Sequence, residues 1–275
     1  MELRPVTAAC ATSQATRWHV ILLAGDRPGG DPLAQEFGVA SKSLVPLGGK
    51  PMLAHVLQTL LSHPQIGEVF VLSQDPELLF DNPAIAPFRA DPRVRLAPSG
   101  SGIASSIEGT LRQDWLDWPV LITTSDHVLL DKGTLDWFLD HSAECDVAVG
   151  MVDREAFKTD GLDSKRTWLR FRDVDVTGAN LFALNSRAVF KGLTYWQSLE
   201  GDRKKPWRMA WKLGPTLLLN FLLRRLTLIE AFGAAGRKLG VEARPVRIPF
   251  AHAGVDVDKL ADHSLVEGML ARLPQ

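Results

Sequence analysis

The stretch Val20-Ile-Leu-Leu-Ala-Gly-Asp-Arg-Pro-Gly-Gly-Asp-Pro-Leu-Ala34 decides the fold that this sequence predicts. An apolar run of strand length, residues 19–23, ends here in a loop rich in glycine, proline and charge. Such a loop can bring backbone N–H groups close to phosphate oxygens, because glycine permits tight turns and leaves no side chain in the way. An ordinary turn between a strand and a helix has the same composition, so the loop alone leaves both interpretations open.

Strand-like and helix-like segments alternate through the first half of the chain. Apolar residues at helical spacing predict helices over residues 51–61, 101–111 and 132–140. Short apolar runs predict strands at residues 69–72, 94–96, 120–124 and 147–149. Strands separated by helices argue for βαβ units with right-handed crossovers. The predicted fold class is therefore α/β, with three Rossmann-like layers around a mostly parallel sheet.

The second half of the chain has a different pattern. It predicts strands at residues 168–172, 179–184 and 244–248, with Asp173, Asp175 and Gly178 marking a turn between the first two. It predicts helices at residues 186–199, 207–239 (broken at Gly214-Pro215) and 258–273. We expect a flexible lead-in over residues 1–17 and a single domain over residues 18–275. Within this domain we expect an α-helical insertion near residues 190–240, which we assign to residues 191–240.

Composition limits the function classes. The chain has 275 residues, of which 45% are hydrophobic and 23% charged, and its net charge is −1. A balanced charge provides no basic field for nucleic acid, so we expect no nucleic-acid partner. The two cysteines, Cys10 and Cys145, fit neither a disulfide framework nor a zinc site, which indicates a reducing compartment. We therefore expect a cytoplasmic protein.

Residues 209–223 form a strongly apolar stretch that raises the question of a membrane. A spanning helix needs about 20 apolar residues, and this stretch is shorter and contains Lys212 and Asn220. A buried helix is the favoured interpretation. A helix lying on a membrane surface is the alternative, with peripheral contact through residues 203–225. The basic residues that support this alternative are Arg203, Lys204, Lys205, Arg208, Arg224 and Arg225.

Three acidic residues are candidate metal ligands. Asp126 follows the buried strand at residues 120–124, and Asp256 and Asp258 follow Gly254 late in the chain. In an open parallel sheet, ligands bind outside the carboxyl ends of the strands. Mg²⁺ bridged to phosphates needs one or two protein carboxylates. These residues therefore predict metal-assisted attack on an α-phosphate, although each acid alone would also suit a turn, and Asp258 a helix N-cap.

Other side chains would complete such a site. Arg27 and Lys42 would supply positive charge for a triphosphate. Asn180, after Gly178, would hold a substrate hydroxyl or simply begin a strand. Donors at the predicted helix start suit an anion or a ribose, or an ordinary N-cap, and they are Gly102, Ser105 and Ser106. His127 would be a metal neighbour, a base or a structural residue.

The combined pattern resembles the nucleotidyltransferases of GT-A-like fold, specifically the molybdenum-cofactor cytidylyl/guanylyltransferase-like branch. The family pattern L-A-A-G-x-x-x-R-x-G is similar to Leu22-Leu-Ala-Gly-Asp-Arg-Pro-Gly-Gly30. The pattern K-x-L-x-P-L-x-G-x-P-M-L matches Lys42-Ser-Leu-Val-Pro-Leu-Gly-Gly-Lys-Pro-Met-Leu53 closely. Gly178-Ala-Asn180 resembles its Gly-x-Asn, and Gly254-Val-Asp256-Val-Asp258-Lys-Leu-Ala-Asp262 its closing D-x-D-x-x-x-D. The resemblance covers roughly residues 18–190 and 241–272.

The resemblance implies transfer of a nucleotide from CTP or GTP to a phosphorylated acceptor such as a small molecule, with release of pyrophosphate. The basic and aromatic content of residues 191–240 would suit a large or lipid-linked phosphorylated acceptor. It implies that Lys42, Arg27 and Asp126 are catalytic, that Gly178 and Asn180 bind substrate, and that Asp126, Asp256 and Asp258 hold Mg²⁺ or Mn²⁺. The implied nucleotide-binding residues are Leu23, Ala24, Gly25, Gly29, Gly30, Gly102, Ser105 and Ser106.

The chain departs from the family pattern in its loop, where Arg27 comes about two residues early, and in the segment 191–240, which short family members lack. Two other function classes stay open. A GT-A glycosyltransferase would use a nucleotide-sugar, although the Lys42 motif argues against it. A non-catalytic nucleotide-binding or membrane-associated protein is the other alternative.

Overall fold

A computed structural model describes residues 17–26, 29–100, 102–113, 116–162, 166–200 and 214–272, without the side chains of residues 196–200. The lead-in predicted over residues 1–17, apart from Arg17, lies outside the described residues, and so do Arg27 and the part of the predicted insertion between residues 201 and 213.

The first half of the chain alternates strands and helices as predicted. Its elements are β1 (Trp18–Leu23), α1 (Pro32–Glu36), β2 (Pro46–Leu47), β3 (Lys50–Pro51), α2 (Met52–Ser62), β4 (Ile66–Ser73), α3 (Pro76–Phe80), β5 (Val94–Pro98), α4 (Ile103–Leu111), β6 (Val120–Thr124) and α5 (Lys132–Asp140). Each helix and strand predicted for this half is confirmed, with boundaries that differ by a few residues.

The second half begins with β7 (Val147–Asp153) and continues with α6 (Arg154–Thr159), β8 (Leu169–Arg170), β9 (Asp175–Leu184), α7 (Val189–Glu200), α8 (Pro215–Leu222), α9 (Leu228–Leu239), β10 (Ala243–Ile248) and α10 (Leu260–Leu270). Short 3₁₀ turns lie at Lys42–Leu44, Ala86–Ala90 and Ala251–Gly254.

One mixed sheet carries the fold. Its strand order is β10-β7-β9-β6-β1-β4-β5, and β8 pairs with β9. Parallel pairing joins β6, β1, β4 and β5, and also β10 and β7. β9 lies between β6 and β7 and runs antiparallel to both. The predicted mostly parallel sheet is therefore confirmed.

Alternate residues of β1 face opposite layers, as the pleat of a strand requires. Val20 and Leu22 belong to a buried cluster that also contains residues of α2, α5 and α10. Ile21 belongs to a second cluster with residues of α4 and the start of α7. Because Val20, Ile21 and Leu22 are all buried, on one side of the sheet or the other, the centre of the strand is continuously apolar. The sheet thus has helices on both faces, which is the predicted three-layer α/β architecture.

Polar residues define where several helices begin. Asp31 caps α1 by accepting a hydrogen bond from the Leu33 N–H at 2.9 Å, and Asp131 caps α5 through the Thr134 N–H at 2.8 Å. Both aspartates satisfy N–H groups that have no partner within the helix. They anchor the loops that follow β1 and β6, so the ends of these two strands are well fixed.

Two predictions for the second half are wrong in detail. Asp175 and Gly178 lie inside β9 rather than in a turn, because the chain reverses earlier, where the Phe171 N–H donates to Val174 O at 2.9 Å. The helix predicted over residues 207–239 has, besides the predicted break at Gly214-Pro215, a second break between α8 and α9. Arg224 adopts a left-handed φ of 52° there, which ends α8.

The prediction of a buried helix near residues 209–223 is also wrong for its described part. α8 contains no buried residue, and Leu219, Leu222 and Leu223 are 54%, 64% and 51% exposed. Among the described residues, no helix has the length and apolar character needed to cross a membrane. α8 therefore presents apolar side chains at the surface of the molecule.

Candidate active site

A cleft of about 600 Å³ opens at the carboxyl ends of β1, β4 and β6. Strands of a parallel sheet point their carboxyl ends to the same edge, which is where ligands bind in this class of fold. The residues that line the cleft are Leu23, Gly25, Asp26, Asp31, Lys42, Ser43, Leu72, Gln74, Ser99, Gly100, Gly102, Ile103, Ser106, Thr124, Ser125, Asp126 and Asp258. Residues from five separate parts of the sequence thus share one cavity.

Lys42 lies between two of the predicted acids. Its Nζ is 2.6 Å from Asp126 Oδ2 and 2.6 Å from Asp258 Oδ1. The Lys42 and Asp126 side chains are only 13% and 16% exposed, whereas Asp258 is 46% exposed. The two carboxylates therefore converge on a single cation at the floor of the cleft.

The pKa of Lys42 is raised above its ordinary value of 10.5. Burial is the largest influence and lowers it, but the charges and hydrogen bonds of Asp126 and Asp258 together outweigh burial. Lys42 is therefore a charged ammonium at neutral pH, and a polyanion in the cleft would find it protonated.

Local hydrogen bonds position both partners. Thr124, the last residue of β6, donates from its hydroxyl to Asp126 Oδ1, and the Val257 N–H donates to the Asp126 carbonyl oxygen at 3.2 Å. The Lys42 N–H donates to Asp26 Oδ1 at 2.9 Å. The lysine is thus attached to the glycine-rich loop, and Asp126 to the segment that carries Asp256 and Asp258.

The glycine-rich loop is held by side chains that the sequence did not single out. The Asp26 N–H donates to Gln74 Oε1 at 2.9 Å, and Gln74 Nε2 donates to the Asp26 carbonyl oxygen at 3.1 Å. The Ser43 hydroxyl donates to the Ala24 carbonyl oxygen at 3.2 Å and lies 2.7 Å from the Ser125 hydroxyl. The loop is therefore fixed on both sides before any ligand binds.

The predicted loop residues divide into two groups. Leu23 and Gly25 line the cleft, while Ala24 is buried beneath it. Gly29 and Gly30 do not line it, and both are exposed with φ values of 95° and 87°, a conformation that favours glycine. Their glycine character is thus explained by the turn itself.

The predicted donors at the start of α4 are engaged locally. Ser105 Oγ accepts from the Gly102 N–H at 3.0 Å, and Ser106 Oγ accepts from the Gly100 N–H at 2.8 Å. Gly102 and Ser106 line the cleft, whereas Ser105 does not. These serines shape the wall of the cleft by fixing the loop before α4.

The third predicted acid, Asp256, lies outside the cleft lining, with Gly178 and Asn180. The Arg166 guanidinium forms an ion pair with Asp256 Oδ1 and donates to its carbonyl oxygen at 3.0 Å. Asn180 Nδ2 donates to Asp256 Oδ2 at 3.2 Å. Both oxygens of this carboxylate therefore have protein partners. Of these two partners, Asn180 was predicted from the sequence and Arg166 was not.

The N-cap alternative for Asp258 is wrong. Asp262 Oδ2 accepts hydrogen bonds from the N–H groups of Asp258 and Lys259, both at 3.2 Å, and so caps α10 from within its first turn. The Asp258 carboxylate is instead directed to Lys42. This arrangement favours the functional interpretation of Asp258 over the structural one.

His127 is completely enclosed behind Asp126. It is 1% exposed, and its pKa is lowered to about 4, chiefly by burial; Asp126 opposes this shift and His252 adds to it. A neutral imidazole with no access to the cleft suits packing rather than proton transfer. The structural alternative for His127 is therefore the better supported one.

A signal for the missed residues exists only in part. Ser43 and Ser125 are adjacent to predicted residues, so sequence neighbourhood points to them. Gln74 follows β4 directly, at the same sheet edge as Asp126. Arg166 lies in the loop between α6 and β8, and nothing in its sequence surroundings indicates a partner 90 residues away.

Among the described residues, no three or more His, Cys, Asp or Glu side chains form a group that could hold a metal ion unaided. Asp126 and Asp258 converge in the cleft, but they are only two carboxylates. They still provide the one or two carboxylates that Mg²⁺ needs when phosphates and waters supply its remaining ligands.

Comparison with known proteins gives a consistent result. The family model of the MobA-like NTP transferase domain matches residues 20–205. The structure of a hypothetical transferase from Thermus thermophilus is 31% identical in sequence and has a TM-score of 0.76. The alignment covers 90% of this chain and 100% of that one. The structure of CMP:2-keto-3-deoxy-manno-octonic acid synthetase complexed with CTP is 14% identical, with a TM-score of 0.56 over 94% of this chain and 99% of that one, and so shares the fold alone.

The 2-C-methyl-D-erythritol 4-phosphate cytidylyltransferase of Aeromonas hydrophila is 32% identical over 130 residues, 45% of this chain and 52% of that enzyme. The chain thus spans about half the length of the curated relatives that it matches. The match of the family model extends over most of the chain and includes the glycine-rich loop, Lys42, Asp126 and Asn180. The chain therefore belongs to the family of proteins with a MobA-like NTP transferase domain.

Proposed function

We propose that this protein is a nucleotidyltransferase that transfers a nucleoside monophosphate from a nucleoside triphosphate to a phosphorylated acceptor. The observation that carries the proposal is the convergence of Lys42, Asp126 and Asp258 in the cleft. A lysine buried between two carboxylates, next to a glycine-rich loop, provides the charges that a triphosphate and its metal ion require. Membership of the NTP transferase family supports the same reaction class.

In the proposed reaction, an oxygen of the acceptor phosphate attacks the α-phosphorus, the bond to the bridging oxygen breaks, and pyrophosphate leaves. Lys42 would bind the triphosphate and stabilise its developing charge. The backbone of the loop from Leu23 to Gly25 would lie along the phosphates, with Gln74 holding that loop in place. No covalent nucleophile on the protein is required.

The acidic residues fit a divalent cation, Mg²⁺ or Mn²⁺. Asp126 and Asp258 both direct an oxygen at the Lys42 ammonium, so their carboxylates lie close together. They are therefore the first candidates to hold the metal ion. Asp256 would join them only by giving up its present contacts with Arg166 and Asn180. When bound, the metal would neutralise phosphate charge and polarise the α-phosphate.

We propose CTP as the favoured nucleotide, ahead of GTP, because the curated relatives that match this chain are named cytidylyltransferases. Gly102 and Ser106 line the part of the cleft that would receive ribose and base. Asn180 and Gly178 would lie on the acceptor side, and Arg27 would add charge near the phosphates. We infer that the insertion at residues 191–240 influences which acceptor is used.

We also propose a cytoplasmic protein whose α8 contacts a membrane peripherally, within the stretch 203–225. Exposed Leu219, Leu222 and Leu223 are followed directly by exposed Arg224 and Arg225. Apolar side chains beside basic ones suit the boundary of an anionic bilayer. Such a contact would give access to a lipid-linked phosphorylated acceptor.

The reaction class is tested by incubating the protein with each nucleoside triphosphate, Mg²⁺ and a set of phosphorylated acceptors that includes methylerythritol phosphate and a polyprenyl phosphate. We expect pyrophosphate release that requires both acceptor and metal and is fastest with CTP. A glycosyltransferase would instead hydrolyse a nucleotide-sugar. A binding protein would bind CTP and release nothing, and either result would contradict the proposal.

A further inference from the structure

Arg166 is a nearly buried cation beside the acidic segment, although no predicted motif contains it. Its side chain is only 9% exposed and belongs to the loop between α6 and β8. The charges of Asp262, Asp258 and Asp126 all act on it. Burying an arginine side chain is unfavourable unless its hydrogen bonds are satisfied, so a partner of specific geometry is expected.

That partner is Asp256, which Arg166 contacts at two points. One nitrogen of the guanidinium binds Asp256 Oδ1, and the other donates to the Asp256 carbonyl oxygen at 3.0 Å. The guanidinium thus holds the side chain and the main chain of the same residue. The guanidinium reaches the two acceptors from two separate nitrogens held in a fixed planar fork, whereas a lysine would have to reach both from one nitrogen on a flexible side chain.

Asn180 completes the contact from the opposite side. Its Nδ2 donates to Asp256 Oδ2 at 3.2 Å. Asn180 adopts a φ of 49°, at an irregularity in the pairing of β9 with β7. A bulge of this kind redirects a side chain out of the regular alternation of the strand. The strand is therefore distorted at the position whose amide reaches Asp256.

The residues after Asp256 connect this contact to the cleft. The Val257 N–H donates to the Asp126 carbonyl oxygen at 3.2 Å, and Asp258 Oδ1 accepts from Lys42 Nζ at 2.6 Å. A displacement of Asp256 would therefore move the Asp258 carboxylate relative to Asp126. The separation of these two carboxylates decides whether one metal ion can contact both.

We propose that Arg166 is a positioning residue, which, together with Asn180, fixes the segment from Asp256 to Asp258 so that the carboxylates of Asp258 and Asp126 can share one divalent cation. The proposal rests on the proposed function for the identity of the ligands, Mg²⁺ or Mn²⁺ and a nucleotide. In this proposal, Arg166 contacts neither the nucleotide nor the metal ion. It acts through Asp256, in the way that outer partners orient metal ligands in other proteins.

The test compares Arg166→Lys with the full-length wild-type protein and with Arg172→Lys. Arg166→Lys keeps the positive charge and removes the planar fork that reaches both acceptors from two nitrogens. Arg172 is a matched control, because it too uses its fork for a carbonyl oxygen and a carboxylate, those of Arg225 and Glu230. Mn²⁺ binding is followed by electron paramagnetic resonance in the presence of CTP, and CTP binding without metal is followed by calorimetry.

We expect Arg166→Lys to weaken Mn²⁺ binding by about 10-fold or more, which is the usual effect of losing an outer partner of a metal ligand. CTP binding without metal should change less than about 2-fold, and Arg172→Lys should behave as wild type. A purely structural role would reduce both kinds of binding together. Wild-type Mn²⁺ affinity in Arg166→Lys, or an equal loss of metal-free CTP binding, overturns the proposal.

Asn180→Gly provides a second, independent variant. Glycine accepts the left-handed φ of this position without strain, so only the amide is removed. It should weaken Mn²⁺ binding in the same direction, and this result decides the question if Arg166→Lys does not fold. Unchanged Mn²⁺ affinity in Asn180→Gly counts against the proposal.

Pyrophosphate release is measured separately on the same proteins. If the wild type releases none while the Mn²⁺ pattern holds, the positioning role stands and the transferase function fails. If the wild type releases pyrophosphate while both variants bind Mn²⁺ normally, the transferase function stands and the positioning role fails.

Discussion

Lys42 Nζ lies 2.6 Å from Asp126 Oδ2, although the two residues are 84 positions apart in the sequence. The contact joins the two parts of the chain that carry the strongest family signals, the Lys42 motif and the acid after β6. Because both side chains are largely buried, water screens their charges only weakly. In the proposed function, Lys42 would bind the triphosphate at this point in the cleft, and Asp126 would bind the metal ion that accompanies it.

Replacing Lys42 by methionine should weaken nucleotide binding. Methionine is unbranched and of similar length, so it keeps the packing and removes the ammonium. A lost charge-assisted hydrogen bond is worth about 1.5–3 kcal/mol, so the dissociation constant for CTP should rise about 10-fold or more. Lys50→Met is the matched control, since Lys50 belongs to the same motif but is exposed, and its ammonium donates to Gln58 rather than to an acid of the cleft. Calorimetric titration with CTP measures both variants, and equal affinities would contradict this role of Lys42.

Gly254 should not tolerate alanine. A Cβ at this position would lie 3.0 Å from the Phe157 ring and 3.0 Å from Thr177 Cγ2. Overpacking of this kind costs about 1–3 kcal/mol, and relief would shift the segment that carries Asp256. We expect lower stability in urea unfolding together with weaker Mn²⁺ binding in the presence of CTP.

Gly268→Ala is the control for this substitution. Gly268 lies in α10 with no atom within 4 Å of a new Cβ, so alanine should raise helix stability by up to about 1 kcal/mol. If Gly254→Ala were as stable as wild type, the close packing around Gly254 would be misassigned.

His127 should make the protein sensitive to acid. Its pKa in the folded protein is about 4, below the ordinary 6.5 that applies in the unfolded chain, chiefly because of burial. The unfolded chain therefore binds more protons below pH 6.5, and the stability present above that pH is lost as the pH falls toward 4. The loss attributable to His127 is about 2 kcal/mol at pH 5.

The check is urea unfolding of wild type and His127→Gln at pH 7 and pH 5, without nucleotide or metal. The variant should lose less stability than wild type over this interval, whatever its stability at pH 7. Identical losses would mean that His127 is not the group that titrates.

The exposed face of α8 should bind anionic membranes. Replacing Leu219 and Leu222 by serine removes two apolar side chains that are 54% and 64% exposed, so the fold should be unaffected. Sedimentation with phosphatidylglycerol-containing vesicles should decrease several-fold relative to wild type. Leu260→Ser is the control, because Leu260 is 48% exposed on α10. Wild-type sedimentation of the double variant, or no sedimentation of the wild type, would refute the membrane contact.

The sequence predicts the sheet well because its strands are buried on both faces. Continuous apolar runs such as residues 69–72 are buried in the sheet, and the alternation of strands with helices favours parallel pairing. The prediction fails where the pattern is shared by two structures. Gly178 and Asp175 have the composition of a turn, yet pairing with β7 and β8 holds them in β9.

The candidate site was predictable only in part, because some of its residues belong to local motifs and others depend on contacts between distant loops. Lys42 was predicted from its motif, and Asp126 and Asp258 were predicted because they come after predicted strands. Arg166 and Gln74 act by contacts that depend on how distant loops fold over one another. Gln74 has a partial signal, because it follows β4 directly at the edge of the sheet where the cleft lies. Nothing in the sequence around Arg166 encodes its contact, so only the three-dimensional structure reveals that residue.

The most direct test of the account is the rate of pyrophosphate release from CTP and Mg²⁺ by the wild type, Asp126→Asn and Asp140→Asn, with the acceptor that the wild type uses. Asp126→Asn keeps the shape of the side chain and removes the charge that faces Lys42, while Asp140 is an exposed residue at the end of α5. We predict that Asp126→Asn lowers the rate by about 100-fold or more, as expected for removing a charge that acts on the transition state, and that Asp140→Asn leaves it unchanged. Full activity in Asp126→Asn would contradict the proposed site.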